Sequence, residues 1–146
     1  MIQMTDRNSD QLAEKGSDSE ETRRTARQVL VIEDEPNIIE AISFILSRDG
    51  WTVSTHSNGE TAVEAVRRVA PDALILDVML PGRSGYDILQ DLRADVATRD
   101  IPVLMLTARG QKNDRELAER LGVNLFMTKP FSNAEVLENL RQIVGS

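Results

Sequence analysis

Cysteine is absent from the sequence, which excludes disulfides, thiol catalysis and cysteine-ligated zinc or iron–sulfur centres. Histidine occurs once, at His56, so a multi-histidine metal site or a Ser/His/Asp triad would have to be built around that residue alone. Aromatic residues make up only 3% of the chain. Bases are outnumbered, 17 Lys and Arg against 24 Asp and Glu, and the net charge of −7 argues against coating nucleic acid with a basic surface. No apolar run approaches the roughly 18 to 20 residues needed to span a bilayer. The N-terminal MIQMTDRNSD lacks the basic-then-apolar layout of a secretory signal. The expectation is a cytoplasmic protein that contacts neither membrane nor nucleic acid directly.

What remains is enough for one good core: 146 residues, 40% of them hydrophobic. Residues 1–28 stand apart, with six acids, five bases and few apolar side chains. Such a segment cannot offset its ordering entropy by burial and is expected to be a disordered tail. From Val29 the pattern turns regular. The apolar runs VLVI (29–32), WTVST (51–55), DALIL (72–76), IPVLML (101–106) and NLFMT (124–128) predict strands. They alternate with helix-like segments at 36–48, 59–69, 85–93, 113–121 and 133–144. Five strand–helix units predict an α/β fold, a five-stranded parallel sheet with helices on both faces. The first, third and fourth strands are continuously apolar and are expected at its centre. Gly50, Pro71 and Gly122 mark helix stops.

In an open parallel sheet, ligands sit at the carboxyl ends of the strands. Strand one ends in Glu33-Asp34, strand three in Asp77, strand four in Thr107 and strand five in Lys129. Carboxylates gathered from two strands repel one another unless a hard cation lies between them, and Mg²⁺ accepts one or two carboxylates plus water and phosphate oxygens. Helix capping by Glu33, Asp34 or Glu35 ahead of Pro36 accounts for one acid, or two at a stretch, but not for the coincidence with Asp77 and Lys129. Glu35 itself is expected to be a surface or capping residue.

The ordered set IEDEP, LILDVMLPGRSG, VLMLTAR and FMTKPF resembles the receiver domain of two-component response regulators, the CheY-like superfamily, over residues 29–146. The resemblance implies a doubly wound (βα)5 fold of flavodoxin-like topology 2-1-3-4-5. It implies Asp77 as phosphoacceptor, and Mg²⁺ (or Mn²⁺) held by Asp34 directly, Glu33 through water, Asp77 and the Met79 backbone carbonyl. Lys129 and Thr107 would stabilise the phosphoryl oxygens, with a small Ala108 leaving room for the donor. Pro130 would follow a cis peptide that aims Lys129 inward. Phe126 would be the switch aromatic of the face formed by helix four, strand five and helix five, and homodimerisation on phosphorylation would use helices four and five. Met79 and Arg109, which offer no carboxylate or amide to orient water, imply slow self-dephosphorylation. The family's partners are histidine kinases or histidine phosphotransfer proteins, and a receiver is not a turnover enzyme.

On the first helix, Ile38, Ile39, Ala41, Ile42, Ile45 and Leu46 share an arc roughly 160° wide. Phe44 lies outside it and is the candidate kinase contact. The sequence ends just after the fifth helix, which suggests a stand-alone receiver; the alternatives are a fragment of a longer DNA-binding regulator and a phosphorylation-independent adaptor. A phosphohydrolase would want an aspartate where Met79 stands. A nucleotide site would want a Gly-rich loop where EDEPN stands.

Overall fold

A computed structural model describes residues 27–108 and 112–145. All but the last two residues of the expected tail lie outside the described residues, as does Arg109. Ten elements alternate: β1 (Gln28–Ile32), α1 (Pro36–Arg48), β2 (Thr52–His56), α2 (Ala62–Val69), β3 (Ala73–Asp77), α3 (Gly85–Ala94), β4 (Val103–Thr107), α4 (Lys112–Arg120), β5 (Leu125–Thr128) and α5 (Asn133–Val144). The strands form one sheet in the order β2-β1-β3-β4-β5, with every pairing parallel. This is the topology the resemblance implied.

Strand alternation divides the core in two. Leu30, Ile32, Leu74, Leu76, Val103 and Met105 face one layer, closed by Ala62, Ala65 and Val66 of α2, Ile88, Leu89 and Leu92 of α3, and Ala118 of α4. Val29, Val31, Ala73, Ile75, Leu104 and Leu106 face the other, under Ile42 and Leu46 of α1 and Val136 and Leu140 of α5. Every residue of β3 and β4 is buried, whereas the edge strands β2 and β5 are only partly covered.

Helices α1 and α5 span the residues their periodicity predicts. Ser132 and Glu135 form a reciprocal capping box at the start of α5. Gly50 and Gly122 follow α1 and α4 with positive φ. Helix α2 starts at Ala62 rather than at residue 59. The N–H of Gly59 goes to the Pro81 carbonyl at 3.0 Å and that of Glu60 to Asn58 Oδ1 at 2.8 Å, so this turn is held by the neighbouring loop. On α1, Ala41 is exposed although it shares the apolar arc; the core is reached by Ile42 and Leu46.

At the amino ends of β4 and β5 one side chain ties three segments together. Arg93, half-buried on α3, donates to the carbonyls of Gly122 (2.8 Å), Arg99 (3.0 Å) and Ile101 (2.7 Å), and to Asn124 Oδ1 (2.9 Å). That oxygen also accepts the Val103 N–H at 2.7 Å. Burial lowers the Arg93 pKa, and the Asp100 carboxylate acts against that shift. Arg93→Met keeps the stem and removes the donors. It is expected to destabilise the fold by about 2 kcal/mol, read as a lower urea midpoint at unchanged slope.

Candidate functional site

The loop after β1 leaves the sheet centre and enters α1. The Glu33 N–H completes the pairing of β1 with β2 by donating to the His56 carbonyl at 3.0 Å. This turns the Glu33 side chain inward, where it is wholly buried. Its Oε2 accepts the N–H groups of Asp34 and Glu35, each at 3.1 Å. Asp34 is exposed beside it. One strand over, Asp77 ends β3 and is 2% exposed. Carboxylate oxygens of Glu33, Asp34 and Asp77 all lie within 4.8 Å of one another.

Among the described residues, one ammonium faces this group. Lys129 Nζ lies 2.9 Å from Glu33 Oε1, 3.3 Å from Asp77 Oδ1 and 3.5 Å from Glu35 Oε1. Its own N–H donates to the Thr107 carbonyl at 2.7 Å, which locks the loop after β5 to the end of β4. The Lys129–Pro130 peptide is cis. Thr107 is buried beside the cluster's strands, and Ala108 is exposed just after it.

Charge explains the ionisation of this site. Burial, with the Glu33 charge added, pushes the Asp77 carboxyl up to about 6, against the pull of Lys129 and of the Met79 N–H that donates to it. Burial works against the Lys129 ammonium, yet contact with Glu33 and the charges of Asp77 and Glu33 outweigh it and raise its pKa. Lys129 Nζ pairs with the buried Glu33 Oε1 at 2.9 Å. Three clustered carboxylates, one of them with spare lone pairs, fit a hard divalent cation with oxygen ligands.

The structure thus brings Glu33, Asp34, Asp77, Lys129 and Thr107 to one edge and sets other residues away from it. The Met79 side chain is 73% exposed, so only its backbone faces the site. Phe126 is half-buried against the α2–α3–α4 layer, with the Arg115 guanidinium 5.6 Å from its ring centre. Phe44 is 61% exposed under the Arg48 guanidinium and lines a cleft between α1 and α5 with Ile45, Asp49, Asn133 and Leu137. His56 is hydrogen-bonded to Thr61 at 2.7 Å. Glu35 is exposed, as expected of a surface residue, but does not cap the helix through its side chain. It stands at the N-cap of α1, and its carboxylate turns to Lys129.

One contributor escapes sequence reasoning. A Cβ on Gly85 would strike the Asp77 carbonyl oxygen and Val78 Cα, so only glycine lets the start of α3 pack against the end of β3. The available signal was a glycine directly after the capping Ser84, whose Oγ accepts the Asp87 N–H at 3.2 Å.

A doubly wound parallel sheet carrying an acidic, lysine-paired cluster at its carboxyl edge defines the class of α/β signalling domains. Within it, the chain belongs to the response regulator receiver domain family, whose model matches residues 29–141. Receivers are signalling domains rather than turnover enzymes. The chain is 42% identical over 116 residues to the probable transcriptional regulatory protein TcrX of Mycobacterium tuberculosis, covering 80% of this chain and 49% of that protein. It is 39% identical over 119 residues to the phosphate regulon transcriptional regulatory protein PhoB of Escherichia coli, covering 82% and 52%. The chain spans about half the length of these relatives. Among solved structures, the receiver domain of the sensor histidine kinase PA1611 from Pseudomonas aeruginosa matches with a TM-score of 0.76 at 32% identity, covering 84% of this chain and all of that one. That structure has a magnesium ion coordinated in its active-site cleft. No helix among the described residues is long and apolar enough to cross a membrane.

The crowding of charge gives a test of stability. Because the folded Asp77 pKa lies above its unfolded value of 3.8, the metal-free folded state holds more protons between pH 4 and 6. Its stability relative to Asp77→Asn therefore falls as pH rises through that window. At pH 7 in chelator, Asp77→Asn should be the more stable by on the order of 2 kcal/mol, and Mg²⁺ should narrow the gap. Thermal melts at pH 4 and pH 7 check both statements.

Proposed function

We propose that this chain is a phosphorylation-activated switch of a two-component system. It takes a phosphoryl group from the phosphohistidine of a histidine kinase or histidine phosphotransfer protein onto Asp77. The observation that carries this reading is the buried Asp77 carboxylate at the end of β3, 3.3 Å from Lys129 and clustered with Glu33 and Asp34. An Asp77 Oδ attacks phosphorus, the bond from phosphorus to the donor imidazole breaks, and its electron pair leaves with the ring nitrogen. The product is an acyl phosphate on Asp77 and a free histidine on the donor.

Glu33, Asp34 and Asp77, with the Met79 backbone carbonyl, would hold Mg²⁺ (or Mn²⁺), which when bound supplies positive charge opposite the phosphoryl oxygens. Lys129 shifts from the Asp77 carboxylate to the phosphoryl oxygens, and the Thr107 hydroxyl donates to one of them. The exposed, small Ala108 keeps the approach open. The Met79 side chain offers nothing that would orient a water in line, which favours slow loss of the phosphoryl group. Movement of Thr107 repacks Phe126 and with it the α4–β5–α5 face, a shift between two packings on which a homodimer would form.

A second reading is favoured by the transcriptional regulators it resembles, which are about twice its span. In it, this receiver controls a DNA-binding region, and any nucleic-acid contact belongs to that region.

Incubation with acetyl phosphate and Mg²⁺ should add one phosphoryl group by intact mass, and neither chelator-treated protein nor Asp77→Asn should gain it. No gain by a folded protein from either acetyl phosphate or a phosphorylated histidine kinase would reject this reading in favour of an adaptor. The exposed Phe44, at the α1–α5 cleft, is the proposed kinase contact. Phe44→Ala should slow transfer from the kinase about tenfold and leave acetyl phosphate uptake unchanged, as measured by radiolabel transfer.

A further inference from the structure

Glu35 follows Glu33 and Asp34 in the IEDEP run and faces the same lysine as Glu33. It occupies the N-cap of α1, and its side chain makes no bond to the helix. Its N–H is held by Glu33 Oε2 at 3.1 Å, which fixes its backbone over the site. Its carboxylate lies 3.5 Å from Lys129 Nζ and is 62% exposed. The other two acids on that ammonium, Glu33 and Asp77, are buried. Lys129 is therefore gripped from beneath by two carboxylates and from the solvent side by a third. The solvent side is the one from which a phosphoryl donor must arrive.

We propose that Glu35 is a positioning and specificity-determining residue, a carboxylate gate on Lys129 that selects phosphoryl donors by charge. The inference rests on the reading of Asp77 as phosphoacceptor. While the site waits, Glu35 holds the ammonium turned toward the mouth. An incoming phosphoryl group has to displace the Glu35 carboxylate from Lys129 and enter its field, and the cost of entry rises with the donor's negative charge. A small, freely diffusing dianion such as an acyl phosphate meets the full cost. A protein-borne phosphohistidine meets the same field but has a docking surface to offset it. The gate thus disfavours adventitious phosphorylation by small metabolites relative to transfer from a protein partner.

The test compares Glu35→Gln and Glu35→Asp with the wild type using two small donors of different charge at pH 7, dianionic acetyl phosphate and monoanionic phosphoramidate. Glu35→Gln should lower KM (the half-saturating donor concentration) for acetyl phosphate about three- to tenfold with the maximal rate constant of Asp77 phosphorylation nearly unchanged, and lower KM for phosphoramidate by less than about twofold. Glu35→Asp, which keeps the charge at the mouth but has a shorter side chain, should shift KM in the same direction by less than Glu35→Gln does. The acetyl phosphate advantage should shrink at about 0.5 M salt, because an exposed charge is screened. In parallel, inorganic phosphate is titrated into each protein with and without Mg²⁺ and followed by NMR. Tighter phosphate binding by Glu35→Gln than by either acidic form supports the gate, even if the wild type takes no phosphoryl group. That last failure would count against the phosphoacceptor reading alone. Equal KM shifts for both donors, or equal phosphate affinity in all three proteins, would overturn the gate. A Mg²⁺ affinity lost tenfold or more in Glu35→Gln, measured by calorimetry, would also overturn it and make Glu35 a metal ligand instead.

Discussion

The ion pairing of Lys129 with Glu33 and Asp77 is the interaction on which the rest of the site depends. Two carboxylates buried on neighbouring strands would each carry a desolvation cost of several kcal/mol and would repel each other besides. With the ammonium 2.9 and 3.3 Å away they are held, but not satisfied: burial still pushes Asp77 up to about 6. Lys129 itself cannot retreat easily, because its N–H is bonded to the Thr107 carbonyl at the end of β4. The register of the sheet therefore sets the electrostatics. Glu33 and Asp77 sit where β1 and β3 stop, and Lys129 just past the end of β5.

The two ends of the sheet are built on opposite terms. At the amino ends of β4 and β5, Arg93 meets four acceptors and Asn124 links it to the Val103 N–H, so the polar groups there have partners in a closed set. At the carboxyl end, three clustered carboxylates share one lysine among the described residues. The first arrangement holds loops still. The second keeps like charges crowded. Between them lies an apolar sheet in which every residue of β3 and β4 is buried.

Most of this was legible in the sequence because it follows from period and position. Apolar runs gave the strands, their ends gave Glu33, Asp34, Asp77, Thr107 and Lys129, and periodicity placed α1 and α5 to the residue. The parts that stayed hidden depend on contacts distant in sequence. The first turn expected of α2 yields to Pro81, a residue of another loop. Arg93 reads as an ordinary solvated base on a helix, since its acceptors are carbonyls that no side-chain pattern marks. The need for glycine at position 85 appears only when the end of β3 is placed against it. Glu35 reads as a surface or capping residue, and its contact with Lys129 depends on a residue that arrives from the far end of the chain.

The choice of glutamate at position 33 joins these levels. Its carboxylate has two tasks at once: Oε1 faces Lys129, and Oε2 takes the N–H groups of Asp34 and Glu35. An aspartate, one methylene shorter, could not reach as far from the same backbone. With glutamate, the buried charge that demands a counterion also pins the loop carrying the two exposed acids. Asp34 is thereby presented at the mouth beside Asp77, and Glu35 over Lys129. One side chain thus fixes both the deficit of positive charge in the pocket and the placement of the groups that face whatever enters to correct it.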